Sequence, residues 1–339
     1  MLRKKKGVTN VLILRFSALG DVAMTAPVVR AYALDYPDTI FTMVSAPMLA
    51  PLFTGIPNLR FEAVNTKEYE GLPGLVRLFK RLLRLHPDQL LDLHQVLRTY
   101  VLCMLFWLSG VPIFAVKKGR RQKHQLTRAS RKHLRPLPSM ISRYEDVFIK
   151  AQFMPLQVDR ASIIKKRYAQ NDVYRIGIAP FAKHEPKAWS LQKMEGVVKQ
   201  LSVSGKYELS LFGGGKNETD LLTDWASRYT YVHCIAGSCS FEEELTLIGQ
   251  LDLFVSMDSA NMHFASFMGV PVLSIWGGTH PYAGFYGWRQ DPQNAIQIDL
   301  ACRPCSVFGS KPCHRGDLLC LQNISIEEVT QKIDPFFTQ

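Results

Sequence analysis

The stretch from Asp252 to Pro281 constrains the fold of this chain more than any other. A short apolar run leads into the polar residues Asp258–His263, then into a helical segment that ends at Gly269, and then into a second apolar run over Val270–Trp276. Glycine accepts the left-handed conformation that ends many helices. A strand, a helix and a strand joined by such short links require the two strands to be parallel.

Asp258 and Ser259 fall where the first of these strands ends and the helix begins. Ligands bind at that edge of parallel sheets, and the free N–H groups of a helix N-terminus attract anions. We interpret the element as a seat for the diphosphate of a nucleotide-sugar. The simpler alternative is that Asp258 or Ser259 only caps the helix and that His263 is a half-buried structural histidine.

Strand-like and helix-like segments alternate along the chain, and the pattern restarts at Arg175. With 339 residues, two domains are expected. The alternation predicts an α/β fold of two doubly wound halves with parallel sheets, divided into 1–160 and 161–339. The polar segment Pro155–Asp172 is interpreted as the connection, and a last helix is predicted over 325–337.

Two helices in the first half carry specific expectations. The sequence after Gly20 predicts one helix that runs to about Asp35, in which Pro27 either lies near the first turns or causes a kink. The apolar segment Leu97–Ser109 predicts a buried helix. Its longest apolar run, Val101–Leu108, is far shorter than the ~20 residues that a membrane-spanning helix needs.

The net charge of +12 is concentrated in Lys117–Arg135, which holds nine Lys or Arg residues and no acid. Such a run often forms only a solvated face, but its single sign favours an anionic partner. No nucleic-acid motif is present, so we expect no nucleic-acid partner and favour a polyanionic acceptor or a phosphorylated lipid at a membrane surface. The expected anion-binding residues are Lys117, Lys118, Arg120, Arg121 and Lys123.

Three further loops supply candidate residues. Asp21 follows a strand and a Gly20 turn at the start of a helix, where it acts either as a cap or as a general base. The loop Pro180–Trp189 carries Lys183 and Lys187. Gly213–Glu218, which includes Gly214, lets the backbone approach a ligand closely, although it lacks the phosphate-loop ending.

The seven cysteines are unevenly spread, and no secretory signal precedes them, so we expect a reducing, cytoplasmic location. Four of them lie in a tail over 302–320. Cys302 and Cys305 have the spacing of zinc ligands, whereas Cys313 and Cys320 do not fit the usual ribbon. The sequence leaves open whether these four cysteines bind a structural metal, pair or stay free.

Four motifs together carry a resemblance: SALGDVAMTAPVVRAY near the start, KAW, FGGGKNE, and VSMDSANMHFASFMGVPVLSIWGGTHP. They resemble, in the right order, those of the lipopolysaccharide heptosyltransferases of glycosyltransferase family 9. The resemblance spans nearly the whole chain. It implies a GT-B fold, in which two facing Rossmann-like domains share a cleft. The first domain would bind the acceptor and the second the nucleotide-sugar donor.

The resemblance also implies residue roles. Asp21 matches the base that deprotonates the acceptor hydroxyl, and Lys187 matches a lysine that contacts the donor diphosphate. Glu218 matches an acid that holds the donor ribose. The remaining donor-binding residues implied by the resemblance or its loops are Lys183, Gly214, Cys239, Asp258, Ser259, Ala260 and His263. The family often has hydroxyl residues in place of Ala182 and Lys183 and Thr-Gly in place of Ser259-Ala260, so the donor sugar stays open.

The expected reaction is an inverting transfer of a sugar, heptose from ADP-heptose, onto a lipopolysaccharide core or lipid A-type acceptor. Lysine and backbone dipoles would replace a metal ion, and no cofactor is expected. The expected partners are an ADP-sugar and an anionic glycolipid, with peripheral contact at the cytoplasmic face of the inner membrane. A nucleotide-sugar epimerase of the same fold and a non-catalytic binding protein remain alternatives.

Overall fold

The computed structural model describes residues 9–156 and 173–337. Within them the chain forms two compact units: 9–118 with 140–156, and 119–139 with 173–337. The predicted boundary at 160/161 and all of the predicted connection except Pro155 and Leu156 lie outside the described residues. The basic segment 119–139 groups with the second unit, although it lies in the first half of the sequence.

Each unit is built on one parallel sheet, as the alternating pattern predicts. The strands of the first unit are β1 Thr9–Leu14, β2 Thr39–Ser45, β3 Leu59–Ala63, β4 Gln89–Asp92 and β5 Ile113–Ala115, in the order β3-β2-β1-β4-β5. The strands of the second unit are β6 Tyr174–Ala179, β7 Tyr207–Leu211, β8 Val232–Cys234, β9 Leu253–Met257, β10 Val272–Ile275 and β11 Ala295–Ile296, in the order β11-β10-β9-β6-β7-β8.

Helices connect these strands. In chain order they are α1 Leu19–Ala23, α2 Ala26–Asp35, α3 Gly71–Leu83, α4 Leu97–Leu108, α5 Arg120–Leu126, α6 Met140–Lys150, α7 Leu191–Val203, α8 Lys216–Arg228, α9 Phe241–Ile248, α10 Ala260–Phe267, α11 Leu319–Gln322 and α12 Ile326–Gln331. Short 3-10 helices lie at Pro47–Phe53, Thr66–Tyr69, Glu185–Lys187, Pro281–Ala283, Pro292–Asn294 and Asp334–Phe336.

In both sheets the chain reverses direction beside the first strand. The first unit proceeds from β1 to β2 and β3 and then returns to place β4 on the other side of β1. The second unit does the same with β6, β7 and β8, followed by β9 on the other side of β6. Open parallel sheets bind ligands beyond the carboxyl ends of the two strands that flank such a reversal. The two reversals therefore mark where functional residues are expected.

The central strand–helix–strand unit forms as predicted. β9 and β10 pair in parallel, with Ser256 opposite Ser274, and α10 connects them. Gly269 follows the helix with φ of +77°, a conformation that favours glycine. The helix buries Met262, Phe264 and Phe267.

Two predictions about helices of the first unit are wrong. The single helix expected up to Asp35 is two helices, α1 and α2, separated at Met24 and Thr25. Pro27 therefore lies in the first turn of α2, where proline is well accommodated. The helix α4 is buried on only one face: Leu102 and Phe106 are buried, whereas Trp107 is 66% exposed. No helix in the described ranges is both long and apolar enough to cross a membrane.

Candidate active site

An ion pair marks the reversal of the second sheet. Lys187 ends the 3-10 helix that follows β6, and its ammonium Nζ lies 2.9 Å from Oδ2 of Asp258, the residue that follows β9. The hydroxyl of Thr279 donates to the same carboxylate oxygen at 2.7 Å. Asp258 and Thr279 are buried, while Lys187 is partly exposed. The carboxylate therefore fixes a lysine at the carboxyl edge of the sheet, where its charge can meet an anionic ligand.

The N-terminus of α10 lies directly beside this pair in the sequence. Ser259 occupies the N-cap position with an extended backbone, but its side chain makes no cap hydrogen bond. Its hydroxyl lies instead 3.3 Å from the hydroxyl of Ser256. Ala260 is the first helical residue, and His263 is buried in the same helix. Because no side chain caps this end, its first N–H groups suit an anion such as a phosphate.

Arg303 anchors the loop that carries Thr279, and sequence reasoning missed it. Its buried guanidinium donates to the carbonyls of Gly277 and of Thr279, the latter at 2.9 Å. It also donates to the carbonyl of Ile298 at 2.5 Å. Burial lowers the pKa of Arg303 from its ordinary value. The only sequence signal was an arginine between the two cysteines Cys302 and Cys305, which we interpreted only as possible metal ligands.

The cysteine tail packs against the loop Pro180–Trp189, which carries Lys187. Gly309, with φ of +77°, leaves no room for a side chain: a Cβ there would lie 2.5 Å from Cδ of Lys187. The backbone N–H of Cys305 donates to the carbonyl of Gly278 at 3.0 Å, and the N–H of Gly278 donates to the carbonyl of Pro186 at 2.7 Å. This tail thus supports the segment that presents Lys187.

The four tail cysteines are free thiols. Burial raises the pKa of the Cys305 thiol and raises that of Cys320 to about 11. Cys302 and Cys313 are half-buried. Across the described ranges, no group of three or more His, Cys, Asp and Glu residues is placed to hold a metal ion. In this structure the tail acts through packing and backbone hydrogen bonds.

The other candidate donor residues surround neighbouring strands of the second sheet. Glu218 lies in the first turn of α8, after β7, and its carboxylate accepts the N–H of Gly214 at 2.7 Å. Lys183 is exposed in the loop after β6. Cys239 is half-buried just before the capping box of α9, and burial raises the pKa of its thiol.

The reversal of the first sheet holds a second ion pair. Arg15 follows β1, and its Nη2 lies 2.8 Å from Oδ2 of Asp21 in the first turn of α1. The side chain of Arg15 is only 4% exposed, and its Nη1 donates to the carbonyl of Leu93 at 2.6 Å. The Asp21 side chain is 23% exposed. A buried arginine therefore orients a carboxylate that solvent can reach. Arg15 was missed as a functional residue.

His94 completes the edge of the first unit, after β4. Its Nδ1 accepts the N–H of Phe16, so its Nε2 carries the proton and donates to the hydroxyl of Ser17, each at 3.4 Å. Burial, with smaller contributions from the charges of Arg15, Lys118 and Arg98, lowers the pKa of His94 to about 3. The imidazole is therefore neutral near pH 7 and organises the loop between β1 and α1.

The predicted anion-binding residues divide between the two units. Lys117 is exposed and Lys118 is half-buried in the first unit, and Arg120 and Arg121 are exposed on α5 in the second. Lys123 differs from the expectation of a surface cation: it is buried, and its ammonium lies 4.1 Å from the centroid of the Phe285 ring. Its side chain therefore packs α5 against its own unit.

Comparison with protein-family models gives a match over residues 75–312, more than half of the chain, to "Glycosyltransferase family 9 (heptosyltransferase)". The chain belongs to glycosyltransferase family 9. This membership confirms the resemblance and makes the protein a glycosyltransferase of the heptosyltransferase family. It favours glycosyl transfer over the epimerase and the non-catalytic binding protein that the sequence left open.

Curated relatives and solved structures agree with this membership. This chain is 22% identical over 331 residues to lipooligosaccharide heptosyltransferase 2 of Campylobacter jejuni, and the match covers 94% of this chain and 96% of that protein. A family 9 glycosyltransferase structure from Veillonella parvula matches with a TM-score of 0.70, at 17% identity and 98% coverage of both chains. Escherichia coli heptosyltransferase WaaC with ADP-2-deoxy-2-fluoro heptose matches with a TM-score of 0.69, at 17% identity, covering 96% of this chain and 99% of that one. These matches confirm the GT-B fold class.

Proposed function

We propose that the protein transfers heptose from ADP-heptose to a lipopolysaccharide core or lipid A-type acceptor. The observation that carries the proposal is the Lys187–Asp258–Thr279 cluster at the reversal of the second sheet, in a chain that belongs to family 9. The structure of WaaC was solved with an ADP-heptose analogue, and curated relatives are named as lipopolysaccharide or lipooligosaccharide heptosyltransferases. These names support ADP-heptose as the first donor to test.

The second unit would bind the donor. Lys187 and the uncapped N–H groups at the start of α10 supply positive charge for the diphosphate. Glu218 would accept hydrogen bonds from the ribose hydroxyls, and Cys239 and Gly214 would contact the nucleotide through their backbones. Asp258 would hold Lys187 in place through its Oδ2, which also accepts the hydroxyl of Thr279.

Asp21 would act as the base. In an inverting displacement, the acceptor hydroxyl oxygen forms a bond to the anomeric carbon while the bond from that carbon to the diphosphate oxygen breaks. The hydroxyl proton passes to the Asp21 carboxylate, and ADP leaves with its charge stabilised by Lys187. Arg15 keeps the carboxylate oriented. The positive charge of lysine and helix N–H groups makes a metal ion unnecessary in this scheme.

The acceptor would be an anionic glycolipid at the cytoplasmic face of the inner membrane. The exposed cations Lys117, Arg120 and Arg121, with half-buried Lys118, would contact its phosphates. Lys123 is left out of this set because its side chain is buried against Phe285.

A donor screen tests the proposal. Thermal unfolding is measured with ADP-heptose, ADP-glucose, UDP-glucose and ADP alone, for the wild type and for Lys187→Met. We expect ADP-heptose to stabilise the wild type most and Lys187→Met much less, because a ligand that binds the folded state raises its stability. Transfer of heptose to a purified deacylated acceptor is then followed by mass spectrometry. Stabilisation by UDP-sugars alone, or donor consumption that needs no acceptor, would contradict the proposal.

A further inference from the structure

The outward face of α4 is an exposed apolar stripe. Leu97 is 80% exposed, Met104 54%, Trp107 66% and Leu108 67%. Residues 97, 104 and 108 lie on one side of the helix, because about two turns separate 97 from 104 and about one turn separates 104 from 108. Exposed apolar patches of this kind mark surfaces that bind proteins or membranes.

A cationic helix packs beside this stripe. The ring of Phe79 on α3 meets the ring of Phe106 on α4 edge to face, with centroids 5.0 Å apart. On its exposed positions α3 carries Arg77, Lys80 and Arg84, the last as its C-cap. Neither helix contains an Asp or Glu residue. We call α3 and α4 with these residues the α3–α4 face.

We propose that the α3–α4 face binds the surface of an anionic phospholipid bilayer. Leu97, Met104, Trp107 and Leu108 would enter the boundary between headgroups and acyl chains, and the cations of α3 would contact lipid phosphates. Tryptophan is well suited to that boundary, because its ring is apolar and its N–H can reach water. Neither helix crosses the bilayer. This inference concerns the surface alone and does not rest on the proposed donor, acceptor or base.

The charge distribution decides between a bilayer and a second copy of the chain. An isologous dimer through this face would bring two sets of cations to one interface, and neither helix supplies acids to neutralise them. Anionic headgroups supply that missing negative charge. The apolar stripe in turn distinguishes the face from a purely electrostatic polyanion site, which gains nothing from Trp107 and Leu108.

The fluorescence of Trp107 reports binding without any change to the stripe. Trp189, Trp225 and Trp276 are fully buried, and Trp288 is half-buried and lies under the guanidinium of Arg289. Adding phosphatidylglycerol–phosphatidylethanolamine vesicles that contain no glycolipid is expected to shift the emission to shorter wavelength. Brominated lipids are expected to quench it. The Trp107→Phe variant should still sediment with vesicles but lose both signals.

Matched variants separate the two components of the face. Trp107→Gln with Leu108→Gln should weaken vesicle binding by at least about tenfold, since each large side chain loses its apolar burial. Leu34→Gln with Val203→Gln, at residues that are also exposed, should not weaken it.

Replacing Arg77, Lys80 and Arg84 with Gln should weaken binding to anionic vesicles by about 100-fold, at roughly fivefold per cation. The same change at Lys150, Lys199 and Lys206 removes equal charge elsewhere and should have a much smaller effect.

The proposal would be overturned if the wild type did not sediment with anionic vesicles at low salt, or if the stripe variants bound vesicles as well as the wild type. An unchanged Trp107 emission spectrum on vesicle-bound protein would also overturn it. So would a concentration-dependent dimer of the wild type that the stripe variant no longer forms, although that variant still binds vesicles. Transfer to a water-soluble acceptor is measured alongside. It should be unchanged in the stripe variant, so failure of membrane binding and failure of the proposed reaction give different results.

Discussion

The Lys187 ammonium and the Asp258 carboxylate form an ion pair of 2.9 Å at the carboxyl ends of β6 and β9, the two strands that flank the reversal of the second sheet. Thr279 donates to the same oxygen, and Arg303 fixes the carbonyl of Thr279. The loop after β10 therefore contacts the Asp258 carboxylate through Thr279, and the cysteine tail supports that contact through Arg303. The position of Lys187 depends on three segments that are far apart in the sequence.

Replacing Lys187 with Met keeps the length of the side chain and removes its charge. We expect kcat/KM for the donor to fall by about 100- to 1000-fold, because the proposed mechanism then loses one preorganised donor to the leaving group. Stability should fall as well, since Asp258 is left buried with Thr279 as its remaining observed partner. The double variant Lys187→Met with Asp258→Asn is the control: it should recover stability but not activity. Single-variant activity within a few-fold of wild type would exclude Lys187 from donor binding.

Replacing Gly309 with Ala tests the contact between the tail and Lys187. The new methyl group would meet Cδ of Lys187, and we expect weaker ADP binding through displacement of the ammonium. Gly316→Ala is the matched control, because Gly316 has the same φ of +77° but no atom within 4 Å of the added Cβ position. Both variants carry the backbone cost of about 1 kcal/mol for a side chain at positive φ. Equal ADP affinity in the two, measured by calorimetry, would show that the tail does not position Lys187.

Replacing Arg15 with Lys keeps the charge but loses the planar fork that contacts both Asp21 and the carbonyl of Leu93. We expect a lower kcat with donor affinity nearly unchanged, and a loss of about 1–3 kcal/mol in the free energy of unfolding. Arg30→Lys is the control, since Arg30 also donates to a backbone carbonyl, that of Thr54, whereas it is Arg15 that pairs with Asp21. If both variants keep the wild-type kcat, Arg15 has no positioning role.

The buried imidazole of His94 makes stability depend on pH. Its pKa is about 3 when folded and 6.5 when unfolded, so only the unfolded chain takes up the proton between these values. Its contribution to stability is complete above pH 6.5 and is lost progressively as the pH falls towards 3. His280, with a folded pKa of about 4, acts in the same direction.

Urea unfolding from about pH 7 to about pH 4 measures this dependence. His94→Asn keeps groups that can accept from Phe16 and donate to Ser17 but does not titrate. We expect its slope of stability against pH to be smaller than that of the wild type by up to ~1.4 kcal/mol per pH unit, the value for one proton. His280→Asn should reduce the slope similarly. Identical slopes in wild type and His94→Asn would contradict the buried, neutral imidazole.

Local sequence patterns predicted the parts of the fold that local rules control. The strand–helix–strand unit around Asp258 and the turn at Gly269 follow from apolar periodicity and glycine placement, both of which are visible within a few residues. The break between α1 and α2 was missed because Pro27 permits either a kinked helix or a new first turn. The choice between them is made by how the surrounding residues pack.

Contacts between distant residues were not predictable in this way. Nothing near Arg15 in the sequence shows that it would meet Leu93, and nothing near Arg303 points to Thr279. The apolar segment Leu97–Ser109 was interpreted as buried because composition reports how apolar a helix is, and not whether a neighbouring element covers each face. The docking of segment 119–139 on the second unit is likewise a tertiary choice.

The most direct test of the central claim separates donor binding from turnover at Asp21. Asp21→Asn removes the proposed base but keeps an acceptor oxygen for Arg15. ADP-heptose affinity by calorimetry should stay within about threefold of the wild type, while single-turnover transfer should fall by 100-fold or more, the scale expected for loss of a general base. Arg15→Lys/Asp21→Asn should be no slower than Asp21→Asn alone. Transfer by Asp21→Asn at the wild-type rate, or an equal loss of binding and transfer, would contradict the assignment of Asp21 as the base.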